Sequence, residues 1–218
     1  MASTMQRLPI TGYQGEPVPH KFFCQDHTTE HLAFIFPGQG YTTDHPLLYF
    51  STMLLQHAGA DVLCVDYNKR ANFETLAPDD VLRCIREDAL AASRAALQQR
   101  AYKRLTLIGK SLGTIVMSQL FADITFEGTL QAIWLTPVLR DPIFRALLHE
   151  KERSLLVIGD KDHYYDARLV QEFQAQTTDQ VMLVPGADHS LQLGNDAPGS
   201  LRVLAQVMER MDQFLKRA

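Results

Sequence analysis

Little in this chain marks it as secreted, membrane-spanning, metal-binding or nucleic-acid-binding. Its 218 residues include three cysteines, Cys24, Cys64 and Cys84. An odd number without metal-type spacing suits reduced thiols serving as small apolar residues, not a disulfide framework. The eight histidines form no Cys/His cluster, so no metal and no other cofactor is indicated. No apolar run approaches the roughly 20 residues needed to cross a bilayer, and the opening Met1 to Pro9 lacks the unbroken apolar core of a signal peptide. A cytoplasmic protein without a membrane partner is expected. The net charge of −4 comes with neither a basic stripe nor an acidic block, which argues against nucleic acid as a partner. No repeat, low-complexity tract or compositional break divides the chain, so a single domain over 1–218 is the expectation. Nothing in the composition bears on oligomeric state.

What is present is a set of short apolar runs alternating with amphipathic stretches. His31 to Phe36, Asp61 to Asp66, Leu105 to Ile108, Ala132 to Leu135, Leu155 to Ile158 and Val181 to Val184 are rich in Val, Ile, Leu and Phe without polar alternation. Strands covered on both faces read this way, as in a parallel sheet with helices on either side. Pro19 to Cys24 reads as a further strand at the sheet edge. Between the strands, Pro46 to His57 and Pro78 to Gln99 carry proline in a first helical turn, and Ser200 to Lys216 places Leu201, Leu204, Met208, Met211 and Leu215 along one stripe. The fold class is therefore α/β, a three-layer sandwich with a mostly parallel β-sheet flanked by helices.

In such sheets ligands bind beyond the carboxyl ends of the strands. That rule selects four segments: Pro37-Gly38-Gln39-Gly40-Tyr41, Gly109-Lys110-Ser111-Leu112-Gly113, Gly159 to Tyr165, and Pro185 to Ser190. The second has the pattern G-x-S-x-G between a strand and a helix-like stretch, Thr114 to Phe121. A turn that sharp leaves no room for side chains flanking the serine, and glycine relieves the contacts. Gly109-Lys110-Ser111 would also end a phosphate-binding G-x-x-x-x-G-K-[ST] loop, but position 104 is Arg104 where that loop needs glycine, and an apolar strand runs straight into Gly109. A serine hydroxyl needs a base within hydrogen-bond reach, and the base needs an orienting acceptor. Asp162 and His189 follow Ser111 in that order on the selected strand ends.

Together, Gly109 to Gly113, Gly159-Asp160-Lys161-Asp162 and Gly186-Ala187-Asp188-His189 make the chain resemble a small, lidless serine esterase of the α/β-hydrolase fold, from about Leu32 to the C-terminus. The resemblance implies Ser111 as nucleophile, His189 as general base and Asp162 as its orienting acid, with Asp160 and Asp166 as alternative carboxylates nearby. It implies oxyanion donors at the Leu112 N–H and in the loop after the first core strand. There the family usually has His-Gly where this chain has Pro37-Gly38; Gln39 is the expected donor, with Gly40 and Tyr41 as alternatives. Tyr41 and Tyr164 are expected to wall a substrate pocket, with Lys110 and Tyr165 facing the same site. Only Thr136 to Arg153 separates two strands where many relatives insert a lid, which leaves no room for a large one. An open cleft and a small acyl substrate, ester or thioester, follow. A peptidase or acyltransferase using the same triad, and a non-catalytic binding protein on the same fold, are the alternatives.

Overall fold

The eight strands of a single sheet lie in the order β1-β2-β4-β3-β5-β6-β7-β8. They are β1 Ser3–Gln6, β2 His20–Gln25, β3 His31–Phe36, β4 Asp61–Val65, β5 Arg104–Lys110, β6 Thr129–Leu135, β7 Ser154–Gly159 and β8 Val181–Val184. A computed structural model describes residues 3–71, 73–177 and 180–217, the Glu152 side chain excepted; Met1 and Ala2, part of the stretch read for a leader, lie outside them. From β4 to β8 all pairings are parallel, while β1 and β2 run antiparallel. The helices are α1 Pro46–His57, α2 Pro78–Leu97, α3 Leu112–Asp123, α4 Ile143–His149, α5 Ala167–Ala175 and α6 Ala197–Leu215.

The unalternating strands divide their side chains between two apolar layers. Leu32, Phe34 and Phe36 of β3, Leu107 of β5, Trp134 of β6 and Leu156 and Ile158 of β7 face α2, α3, α4 and α5. Ala33, Ile35, Ile108, Ile133, Leu135, Leu155 and Val157 face α1 and α6. Because successive side chains of a strand point to opposite faces, a sheet covered on both sides requires apolar residues at every position. Every residue of β3, β4 and β7 is buried.

Three expectations are corrected. The strand read at Pro19 to Cys24 is not at the edge: β1 pairs outside β2, and its polar Ser3-Thr4-Met5-Gln6 carries no apolar period because three of its four residues are exposed. The buried stripe of α6 is Val203, Val207, Met211 and Phe214, whereas Leu201 is 66% exposed; the helix begins earlier than read, with Asp196 accepting the Gly199 N–H as N-cap. Strand β5 runs past Ile108 through Gly109 to Lys110, so the sheet delivers the chain directly to Ser111.

Residues 136–153, between β6 and β7, carry α4 packed against α3. No helix among the described residues is long and apolar enough to cross a membrane.

Candidate active site

Strand β5 ends at Lys110 and α3 begins at Leu112, leaving Ser111 alone to make the reversal, with φ 51° and ψ −116°. That backbone is strained for a residue with a Cβ, a cost of order 1–3 kcal/mol, and it persists where the surroundings over-determine it. The Ser111 N–H donates to the Leu135 carbonyl at 3.1 Å, and the Ser111 carbonyl accepts from both the N–H and the hydroxyl of Thr114 at 2.8 and 2.6 Å. The flanking glycines are required by space. A Cβ on Gly113 would lie 2.1 Å from the Phe36 carbonyl oxygen of β3, and one on Gly109 would lie 2.3 Å from Met117 Sδ and 2.7 Å from the Gly113 carbonyl oxygen.

The carboxyl ends of β7 and β8 bring the other two groups in. Gly159 lets them approach, since a Cβ there would sit 2.0 Å from the Ala187 carbonyl oxygen. Asp162 is fully buried; its Oδ2 is 2.8 Å from His189 Nδ1, and its Oδ1 accepts the Tyr164 N–H at 2.8 Å. His189 Nε2 is 2.7 Å from Ser111 Oγ. With Asp162 ionised, Nδ1 carries the proton and donates to it, so Nε2 is left to accept from the Ser111 hydroxyl. The neighbouring carboxylates have other partners. Asp160 accepts the Gly186 N–H at 2.7 Å, Asp166 caps α5 through the N–H groups of Arg168 and Leu169, and Asp188 accepts from Ser190 and Gln192 within the histidine loop. Asp162 is thus the carboxylate bonded to His189.

The loop after β3 lies against the serine: a Cβ on Gly38 would come within 3.2 Å of Ser111 Cβ. The Leu112 N–H heads α3, and neither it nor the Gln39 N–H, next in the chain to Gly38, reaches a protein acceptor among the described residues. Two residues that sequence reasoning missed hold this loop. Asn68 donates to the Gly38 carbonyl at 2.9 Å and accepts the Gly40 N–H at 3.2 Å, while the buried Tyr67 hydroxyl donates to the Pro37 carbonyl. They lie two and three residues beyond the end of β4, so the strand-end rule, extended to that strand, would have found them.

Lys110 does not face a cleft but is 2% exposed. Its Nζ donates to the His189 carbonyl at 3.1 Å and to Thr136 Oγ1 at 3.3 Å, and lies 4.6 Å from the centre of the Tyr41 ring. Burial pushes the amine down to about 8, against the opposing pull of Asp162 and Asp188. Tyr41 in turn accepts the Leu47 N–H at 3.2 Å and stacks on His45. Tyr164 packs its ring 5.3 Å from that of His189, with the Arg140 guanidinium over its face, and Tyr165 is half-buried against the α2–α5 core layer. His163 is 64% exposed on its side chain, with its ring 4.6 Å from that of His189.

Asp162, His163 and His189 have ligand atoms within 4.8 Å of one another, but Asp162 Oδ2 and both His189 nitrogens are engaged in the chain to Ser111, and Asp162 Oδ1 accepts the Tyr164 N–H. His27 and His31 stand four residues apart, yet His31 is buried, bonded to Thr106 at 2.9 Å and depressed by burial to about 4. The three cysteines are free and buried; desolvation raises all three thiols, Cys64 to about 12 and Cys84 to about 11, which makes them poor nucleophiles.

No curated protein matches the sequence. Solved structures match the fold at low identity. A candidate alpha/beta hydrolase from Agrobacterium tumefaciens aligns with TM-score 0.71 at 16% identity, covering 99% of this chain and 95% of its own. A lidless member of the serine hydrolases from Xanthomonas campestris gives 0.68 at 16% identity over 99% and 94%. An esterase from Pyrococcus furiosus gives 0.71 at 16% identity over 99% and 90%. The family described as the alpha/beta hydrolase domain matches residues 31–216, from the first strand of the parallel core to the last helix, and the chain belongs to it.

Proposed function

We propose that the protein is a serine hydrolase that cleaves a small carboxylic ester or thioester through an acyl-enzyme on Ser111. The observation that carries this reading is the continuous hydrogen-bond chain from Ser111 Oγ to His189 to the buried Asp162, at 2.7 and 2.8 Å, on a backbone strained at the serine. In the first step Ser111 Oγ attacks the substrate carbonyl carbon while His189 Nε2 takes the hydroxyl proton. Asp162 holds the imidazole in the tautomer that accepts, and stabilises the imidazolium once it forms. Charge gathers on the carbonyl oxygen, where the Leu112 and Gln39 N–H groups act as donors; loss of one such donor costs on the order of 10²–10³ in rate. As the intermediate collapses, the bond to the leaving oxygen or sulfur breaks and His189 returns its proton there. Water, deprotonated by the same nitrogen, then cleaves the acyl-serine and regenerates the hydroxyl.

Tyr41 and Tyr164 border the space next to His189 and serve as substrate-contacting walls. Among the described residues only α4 and one further short helical turn lie between β6 and β7, in keeping with a small substrate, not an oil interface. Three buried reduced thiols suit the cytoplasm. The reading is tested by the turnover of p-nitrophenyl acetate and of a short acyl thioester: Ser111→Ala should lower kcat by at least about 10³. Turnover undiminished in that variant overturns the assignment. Absence of turnover of esters, thioesters, amides and lactones by the unaltered protein would favour a binding protein on the same fold.

A further inference from the structure

A cavity of about 440 Å³ lies between the N-terminal turns of α1 and α6 and the loop that follows His189. Its size falls within the roughly 300–1,000 Å³ of small-molecule pockets. Leu47 and Val207 form its buried floor, Tyr41, Leu191 and Leu204 its sides, and the exposed Leu201 stands at its rim. No acidic, basic or histidine side chain is among the described residues that line it. Of its polar side chains, Ser200 already bonds the Leu193 N–H and the Asp196 carbonyl, and Gln192 and Asn195 are exposed to solvent. A charged group placed there would lose hydration with only neutral hydroxyl and amide groups, and no opposite charge, to meet it.

Leu191 supplies a second, independent observation. It has φ 57°, a backbone that a leucine adopts only under constraint, and yet its side chain is buried at 4% exposure on the cavity wall. Asp188 imposes the constraint, taking the Ser190 and Gln192 N–H groups on its carboxylate and the Leu191 N–H on its carbonyl. Strain held in place two residues beyond His189 is spent on shaping this wall. Ser111 and His189 do not themselves line the cavity, but two of its wall residues adjoin the site along the chain: Ser190 directly follows His189, and Tyr41 lies two residues beyond Gln39 with its ring 4.6 Å from the Nζ of Lys110, the residue before Ser111.

We infer that this cavity receives one uncharged hydrocarbon limb of the substrate, so that the enzyme prefers esters bearing a medium-length alkyl or aryl chain over those bearing acetyl and methyl groups alone or a charged chain. The assignment rests on the serine-hydrolase reading. Two ester series distinguish the limb: p-nitrophenyl esters of acids from acetate to decanoate, and acetate esters of alcohols from methanol to octanol. In one of them kcat/KM should rise about fourfold per methylene, the gain from burying each one, until the cavity is filled. Leu204→Trp, which occupies the cavity, and Leu201→Glu, an exposed substitution with little burden on folding, should flatten that rise while leaving the shortest ester within about threefold of wild type. Chain-length dependence that is flat in both series, that survives both substitutions, or that favours a carboxylate-tipped chain over its alkyl isostere overturns the assignment. Labelling of Ser111 by a small fluorophosphonate separates the two levels. Labelling with a flat series defeats the cavity assignment alone, whereas no labelling defeats the hydrolase reading and this inference with it.

Discussion

Replacing Lys110 by methionine should stabilise the protein at neutral pH, and the gain should disappear as the pH is raised. The lysine is buried beside Ser111 with no carboxylate in contact, and burial brings its amine from 10.5 down to about 8. The folded state therefore holds this proton less tightly than the unfolded chain. At pH values below 8 the charged amine destabilises the fold by about 3 kcal/mol, taking roughly 1.36 kcal/mol for each tenfold loss of proton affinity. Between pH 8 and 10.5 the unfolded chain binds more protons than the folded one, so wild-type stability from this group rises by up to about 1.4 kcal/mol per pH unit. Methionine keeps the length of the side chain but leaves the His189 carbonyl without its donor, at a cost of about 1–2 kcal/mol that is independent of pH. The net gain is then about 1–2 kcal/mol at pH 7, and the difference between variant and wild type swings by about 3 kcal/mol by pH 10.5. Urea unfolding at pH 7, 8, 9 and 10.5 reads this as midpoints that differ by about 1 M more at one end of the series than at the other. All other titrating groups are common to both proteins and cancel. A difference constant across the series would refute the assignment of a desolvated amine to Lys110.

Asp162→Asn should lower kcat by about three to four orders of magnitude with KM little changed, because the imidazole loses its tautomer, while Asp160→Ala should cost less than about tenfold; steady-state kinetics of the two variants give the comparison. Asn68→Ala removes the two hydrogen bonds that fix the Gly38–Gly40 loop, and kcat should fall about tenfold or more with labelling of Ser111 by a fluorophosphonate still detectable. Gly113→Ala drives a methyl group into the β3 backbone and should destabilise by about 3 kcal/mol or more, read as a lowered urea midpoint, or as loss of soluble protein.

The parallel core was legible because β3, β4 and β7 are covered on both faces and so carry uninterrupted apolar residues. The same logic hides β1, whose Ser3-Thr4-Met5-Gln6 is held by backbone pairing to β2 and buries almost nothing. Helices α4 and α5 escaped for a related reason: seven and nine residues are too few to show a period of 3.6 clearly. That Ser111, Asp162 and His189 come together was readable because strand ends, chain order and glycine spacing constrain them together. The choice of Asp162 over Asp160 came from the family resemblance and not from the residues alone, since it depends on which carboxylate points inward over a separation of two residues. Lys110 was expected to face the site, and its burial was not legible, because only the packing of Tyr41, Thr136 and the His189 loop around it makes it a buried cation.

The most direct test of Ser111 as nucleophile is the intact mass of the protein after reaction with a fluorophosphonate. One phosphonyl group per chain should be added, mapped to Ser111 by peptide analysis, lost in Ser111→Ala and strongly slowed in Asp162→Asn. A folded, esterolytic protein that acquires no adduct, or acquires it at any other residue, would contradict the assignment.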